Sequence, residues 1–245
     1  MVTDTVLTQR ALIRITPSDA AEDVRDFLQG LVTQDTRRVL PGAPQYGGLL
    51  SAQGKTLFDF LMWDDGTDVL IECERDAAGD LAKRLTLYRL RRKIVIAREE
   101  SLGVHWSQEP AAGASPDPRL PALGWRWLAP AQDDGGADAA WRAHRLILGV
   151  PEGAAELGDI LWLETNAVEL NGVSFDKGCY VGQENTARMN WRQKVNRRIV
   201  VLPIDQADTK RQKLAHPDLG VSVEHRRTED LNPADLPDWL KPALL

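Results

Sequence analysis

An α+β fold is expected for this chain, and three features of the sequence point to it. Runs rich in branched and aromatic residues near 46–51, 57–63 and 68–73 are separated by the turn-like segments SAQGK and DDGTD, which reads as a strand meander. A helical stretch from about Asp76 and a strand candidate at 94–97 follow, so strands and helices mix within one unit. With 245 residues and 43% hydrophobic content, the chain can bury a sizeable core and exceeds the usual single compact domain, so two or three subdomains are expected.

Each element has a local reason. Residues 11–15 alternate like a strand, after which Thr16 reads as a helix cap with Pro17 at the first helical position and Asp19 near the positive end. Val24, Phe27, Leu28 and Leu31 follow at helical spacing, and Gly30 suits the exit because glycine enters the left-handed region without steric cost. The helix from Asp76 presents Leu81, Leu85 and Tyr88 on one face. Between Glu109 and Asp138, five prolines surround one strand candidate at 124–128, so this stretch reads as mostly loop. A helix from about Asp138 to Leu148 carries Trp141 and stops at Gly149, with Pro151 beyond. Further strands are expected at 199–204 and 221–225, in a C-terminal stretch interrupted by prolines.

Composition removes several classes of function. A net charge of −6 with 27% charged residues argues against direct nucleic-acid binding. No apolar stretch has the length of a membrane helix, and the N-terminal residues are expected to carry neither a secretory signal nor an obvious transit peptide. Cys73 and Cys179 share no CxxC spacing and the four histidines are scattered, so neither a disulfide framework nor a zinc site is expected. These readings together place the protein in the reduced cytoplasm.

The densest chemistry lies at 177–184, KGCYVGQE, where a thiol, an ammonium, two glycines, an amide and a carboxylate share one short segment. Gly178 and Gly182 permit tight turns or close approach to a ligand, while Gln183 and Glu184 offer hydrogen bonds in fixed order. Cys179 is the reactive side chain, and either the Lys177 charge or a helix starting beyond it would favour the thiolate. A lone cysteine with other neighbours would more often be a small buried hydrophobe.

This motif resembles the signature of the YgfZ-like family, folate-binding proteins related to the T-protein aminomethyltransferases of the glycine cleavage system and involved in iron–sulfur cluster assembly or repair. FLQGLVTQD at 27–35, LLSAQGKTLFDF at 49–60 and LYRLRRKIVI at 87–96 extend the resemblance to roughly residues 8–200. It implies a T-protein-like fold: a body over 1–198 of two interleaved subdomains, about 1–45 with 100–198 and 46–99, one of them ferredoxin-like. A small, shortened β-barrel-like domain over 199–245 would follow. It also implies a tetrahydrofolate or other reduced folate as ligand, with Trp141, Asp59, Gln183, Glu184 and Arg188 as candidate contacts. Cys179, aided by Lys177, would act on clusters, as a transient iron–sulfur ligand or a redox-sensitive nucleophile. The implied partners are cluster assembly proteins or client enzymes, with indirect effects on tRNA-modifying enzymes that carry clusters.

Two departures qualify the enzymatic side. Phe58-Asp59 stands where the transferases carry adjacent aspartates, and RLILG at 145–149 puts Ile147 where relatives carry an acid. A folate-dependent one-carbon transferase is therefore the alternative, not the leading reading. A third reading, a module binding RNA or protein, rests on the basic run from Arg188 to Arg198 with Trp191.

Overall fold

The computed structural model describes residues 4–132, 136–192 and 195–244; Lys194 and the side chain of Arg192, both in the basic run, lie outside the described residues. The body is built on β1 (Arg10–Pro17), α1 (Val24–Gln29), β2 (Gln45–Leu50), β3 (Thr56–Asp65), β4 (Asp68–Glu74), α2 (Ala78–Arg89) and β5 (Ile94–Glu99). Their strands form one antiparallel sheet in the order β2-β3-β4-β1-β5. Setting β2 aside as an added edge, β1-α1-β3 and β4-α2-β5 interlock as split βαβ units, which is the ferredoxin-like arrangement.

Both faces of this sheet are covered, which explains why LFDFLMW and VLIEC run nearly continuously apolar instead of alternating. Ile13, Ile15, Phe60, Met62 and Ile71 pack toward α1 and α2 with Phe27, Leu28, Leu81 and Leu85. Leu12, Leu61, Trp63 and Leu70 point the other way, into a second core with Tyr46, Trp106, Trp141 and Trp162.

That second core is closed by a three-stranded sheet of β6 (Leu102–Ser107), β7 (Ser115–Pro116) and β8 (Trp125–Pro130), ordered β6-β8-β7, and by α3 (Asp138–Ile147). After α4 (Ala154–Leu157) and α5 (Gln183–Arg192), the C-terminal part forms an open sheet, β10-β11-β9, from β9 (Arg197–Pro203), β10 (Gln212–His216) and β11 (Val221–Arg227). It docks through Ile199 and Val223 onto Leu146, Leu157 and Ile160. It is an open sheet rather than a barrel.

Several expectations need correction. Thr16 and Pro17 do not start a helix: both are in β1, paired with Val95 and Ile94, and α1 starts at Val24 under Asp23, whose carboxylate accepts from the Arg25 and Asp26 N–H groups. Sheet pairing outcompeted a plausible cap. Gly30 does follow α1, but in the right-handed region (φ −81°), so it is not there for left-handed geometry. The division that placed 1–45 with 100–198 fails for β1, the strand between β4 and β5 in the same sheet as residues 45–99. Beyond Glu99, the expectations do not include β6, although Leu102, Val104 and Trp106 alternate with Gly103, His105 and Ser107, or β10, whose mixed segment QKLAH carries little period-two signal.

Candidate functional site

Period-two geometry puts Arg10 on β1, Asp59 on β3 and Glu72 and Glu74 on β4 on the face of the second core. Arg10 lies opposite Glu74 in register, and Leu12 and Leu61 both lie opposite Glu72. Asp117, Arg119, Arg126 and Glu152 meet this face from the segments that cover it. Glu72 accepts from Arg10 Nε at 3.1 Å, from Trp63 Nε1 at 3.0 Å and from Arg126. Asp117 accepts from Arg119 Nη2 at 2.7 Å and Arg126 Nε at 2.8 Å, and Glu152 from Arg119 Nη1 at 2.7 Å and Trp141 Nε1 at 3.1 Å. Three guanidinium groups thus face three carboxylates, none more than 8% exposed. Burial opposes ionisation of Glu152, yet Arg10, Arg119, Arg126 and Arg145 together hold its carboxyl well below the usual range.

Asp59 is the fourth carboxyl and has no guanidinium of its own. Its Oδ1 accepts from the Gly153 N–H at 3.1 Å, and its buried Oδ2 has no hydrogen-bond partner among the described residues. Burial, reinforced by the Glu152 charge, pushes its carboxyl up to about 7. Gly153 makes this contact at φ +86°, where a Cβ would collide with the Glu74 carboxylate.

A cavity of about 370 Å³ opens beside the network. Arg10, Trp141, Arg145 and Glu152 form its buried part and Arg75, Arg142 and Asp76 its more exposed part. Trp141 does reach it, but not as a free platform: the indole is 4% exposed, Arg126 lies 4.2 Å from its ring centre, and Trp106 meets it edge-on at 5.2 Å. Ile147 is 82% exposed, away from the buried side of α3 that holds Trp141 and Arg145. Arg145 instead forms a forked pair with Glu156, at 2.8 Å to each oxygen, which His216 Nε2 joins at 3.0 Å.

The KGCYVGQE segment sits elsewhere. Its glycine Gly182, at φ +82°, lies so close against the β2–β3 turn that a Cβ would collide with the Ser51 carbonyl. Asn185 Nδ2 donates to Gln53 O at 2.6 Å and fixes α5 to the same turn. Cys179 is exposed on this loop. Lys177, expected to serve the thiolate, turns inward: its ammonium donates to the carbonyls of Val32 and Gln34 and lies 5.0 Å from the Tyr180 ring centre, and burial lowers its pKa to about 8. These contacts tie the loop to the segment after α1. Gly178, in contrast to the expectation of close approach, faces open space, with nothing within 4 Å of where a Cβ would stand.

Gln183 accepts the Tyr180 N–H at 3.2 Å, closing the start of α5, while Glu184 and Arg188 pair with each other across one turn at 3.3 Å on the solvent face. None of these three lines the cavity. The fold therefore brings Trp141 and Asp59 together around the network, with Trp141 but not Asp59 lining the cavity, and separates them from Cys179, Gln183, Glu184 and Arg188. The expectations missed Arg10, Glu72, Arg119, Arg126 and Glu152. The available signal was the pairing of charged Arg10 and Glu72 with apolar neighbours inside otherwise buried strands.

The chain is similar to the human protein named iron–sulfur cluster assembly factor IBA57, mitochondrial, at 36% identity over 231 residues, covering 78% of this chain and 63% of the relative. The mouse protein of that name is 33% identical, with 80% and 64% covered, and the Neurospora crassa homolog 34%, with 80% and 52% covered. The chain thus spans roughly half to two thirds of the length of these relatives. No family model matches. A glycine cleavage system aminomethyltransferase T from Bartonella henselae has the same fold, with a TM-score of 0.70, 12% identity, and 93% of this chain and 79% of that one covered. The aminomethyltransferase structure bears out a T-protein-like fold, and the named relatives, which are mitochondrial proteins, overturn the cytoplasmic placement. Cysteine usage does not distinguish one compartment that keeps thiols reduced from another.

Proposed function

We propose that this chain is an iron–sulfur cluster assembly factor that presents Cys179 as a ligand to a cluster in transit. The observation that carries the reading is an exposed thiol on a loop held in place by Lys177, Gly182 and Asn185, in a chain similar to named assembly factors. Cys73 is a poor second ligand, because it is 1% exposed and burial pushes its thiol up to about 12. Among the described residues no group of three or more His, Cys, Asp or Glu side chains is placed to hold a metal. Clusters take several cysteine ligands, so the others come from an assembly protein or client enzyme.

The test is complementation. Loss of the gene is expected to lower the activity of cluster-dependent enzymes, tRNA-modifying ones included, and the parent chain to restore it. Cys179→Ser is expected to fail while Cys73→Ala succeeds; full rescue by Cys179→Ser overturns the reading.

A reduced folate is the ligand proposed for the 370 Å³ cavity. Its size falls in the range of small-molecule sites, and its polarity is graded in the way a folate needs. Glu152 and the Trp141 edge lie at the buried end, for an aminopyrimidine, and Arg75 and Arg142 lie at the more exposed end beside Asp76, where Arg142, paired with Asp218, would turn to a carboxylate tail. When bound, the folate would supply a one-carbon carrier. Asp59, coupled to the lining residues Arg10, Glu74 and Glu152, is the residue that would sense it. Titration with tetrahydrofolate is expected to quench tryptophan fluorescence saturably in the parent and much less in Trp141→Phe. Unsaturable or Trp141-independent quenching would remove the folate while leaving the Cys179 reading intact.

A further inference from the structure

α2 ends in a turn that Arg92 and Lys93 hold against Glu22, but in which the Leu90 side chain itself packs on little. Arg89 O accepts from Arg92 N at 2.9 Å, closing a turn in which Leu90 has φ +50° and ψ −113°, a region that favours glycine. A large apolar side chain normally occupies such a position only when packing compensates, but Leu90 is 84% exposed. Leu87, one turn earlier, is 65% exposed. Beside them an open groove of about 740 Å³ is walled by Phe27, Leu31, Tyr88 and Leu90. Backbone strain and exposed apolar surface at one place mark an interaction site.

The charge around this groove selects the occupant. Arginines line it and no acid does, in a chain whose net charge is −6. Arg92 is taken up by Glu22, but Arg91 is exposed and makes no hydrogen bond or ion pair among the described residues. The exposed Lys83 and Arg84 lie four and three residues before Leu87, on the same side of the helix. Asp80, the acid of α2, lies in its first turn.

We propose that this groove docks an acidic, amphipathic segment of a partner protein, whose apolar side chains enter between Leu90 and Phe27 while its carboxylates meet Arg91 and Arg84. A second copy of this chain using the same patch would set like charges against each other across a two-fold axis. A lipid surface is flat and does not fill a concavity. The groove is linked to the Cys179 loop through space, since Leu31 precedes Val32, whose carbonyl accepts from Lys177. The inference nevertheless needs neither the cluster chemistry nor the folate.

The test selects a random peptide display library on the full chain, with counter-selection on the Leu90→Gly and Arg91→Glu variants. Leu90→Gly suits the backbone and is expected to melt no lower than the parent, so loss of binding in it is not loss of fold. The expected result is enrichment of peptides combining Asp or Glu with Leu, Ile or Phe, whose affinity by fluorescence anisotropy falls at least about tenfold in each variant and weakens with salt. Three results overturn the proposal. They are enrichment of basic or uncharged peptides or of none, binding to phosphatidylserine vesicles that Arg91→Glu removes, and a dimer by sedimentation that Leu90→Gly dissociates.

Discussion

Glu72→Gln is expected to destabilise the protein by about 3–5 kcal/mol, a large share of the stability of an ordinary domain. Glu72 is 0% exposed and accepts from Arg10, Arg126 and Trp63. Glutamine keeps the shape and one acceptor oxygen, but it removes the charge and turns two donors toward guanidinium groups that are themselves buried. Arg10 and Arg126 then share the carboxylates of Asp117 and Glu152, and one positive charge is left uncompensated where water does not reach it. Glu184→Gln, which breaks an exposed pair with Arg188, is the control and should change stability by no more than about 0.5 kcal/mol. Urea denaturation of the three proteins checks both values. A loss below about 1 kcal/mol for Glu72→Gln would mean that the network rearranges or admits water. Arg10 also lines the cavity, so the same substitution is expected to disturb ligand binding there in whatever fraction remains folded.

How much of this was legible in the sequence differs between the sheet and the site. The strands β2 to β4 could be read because their runs of branched and aromatic residues are bounded by turn residues, and the helices α2 and α3 because their apolar positions recur at helical spacing. The start of α1 could not, because Thr16 and Pro17 carry a genuine cap signal that long-range pairing with Val95 and Ile94 overrides. The chemistry of the Cys179 segment was legible from its polar, glycine-rich neighbours; the exposure of the thiol was not, because it depends on how the loop is anchored in the fold. The direction of Lys177 was not: its ammonium is fixed by carbonyls of Val32 and Gln34, more than 140 positions away in the chain. The same holds for the ionic network, in which Arg10, Glu72, Asp117 and Glu152 are adjacent only after β1, β4 and the covering segments have met. A charged residue inside a strand announces itself in sequence, but its partner does not.

Asp59→Asn should have the opposite sign to Glu72→Gln, stabilising the protein by between about 1 and 4 kcal/mol above pH 7. In the fold this carboxyl is pushed up to about 7 from an ordinary value of 3.8, by burial first and the Glu152 charge second. As pH rises from 4 to 7 the unfolded chain gives up the proton before the native state does, so the native state holds more protons and its stability falls through that window. Above pH 7 both states are ionised and the full penalty remains; below pH 4 both are protonated and it is gone. Asparagine carries no charge at any pH and still accepts the Gly153 N–H through its oxygen. The advantage of the variant over the parent should therefore grow between pH 4 and 7 and level off above, which denaturant melts at a series of pH values would trace. A variant less stable than the parent across the whole range would show that Asp59 is ionised and held by Arg10, and with that the reason for placing it apart from the three paired carboxylates would be lost.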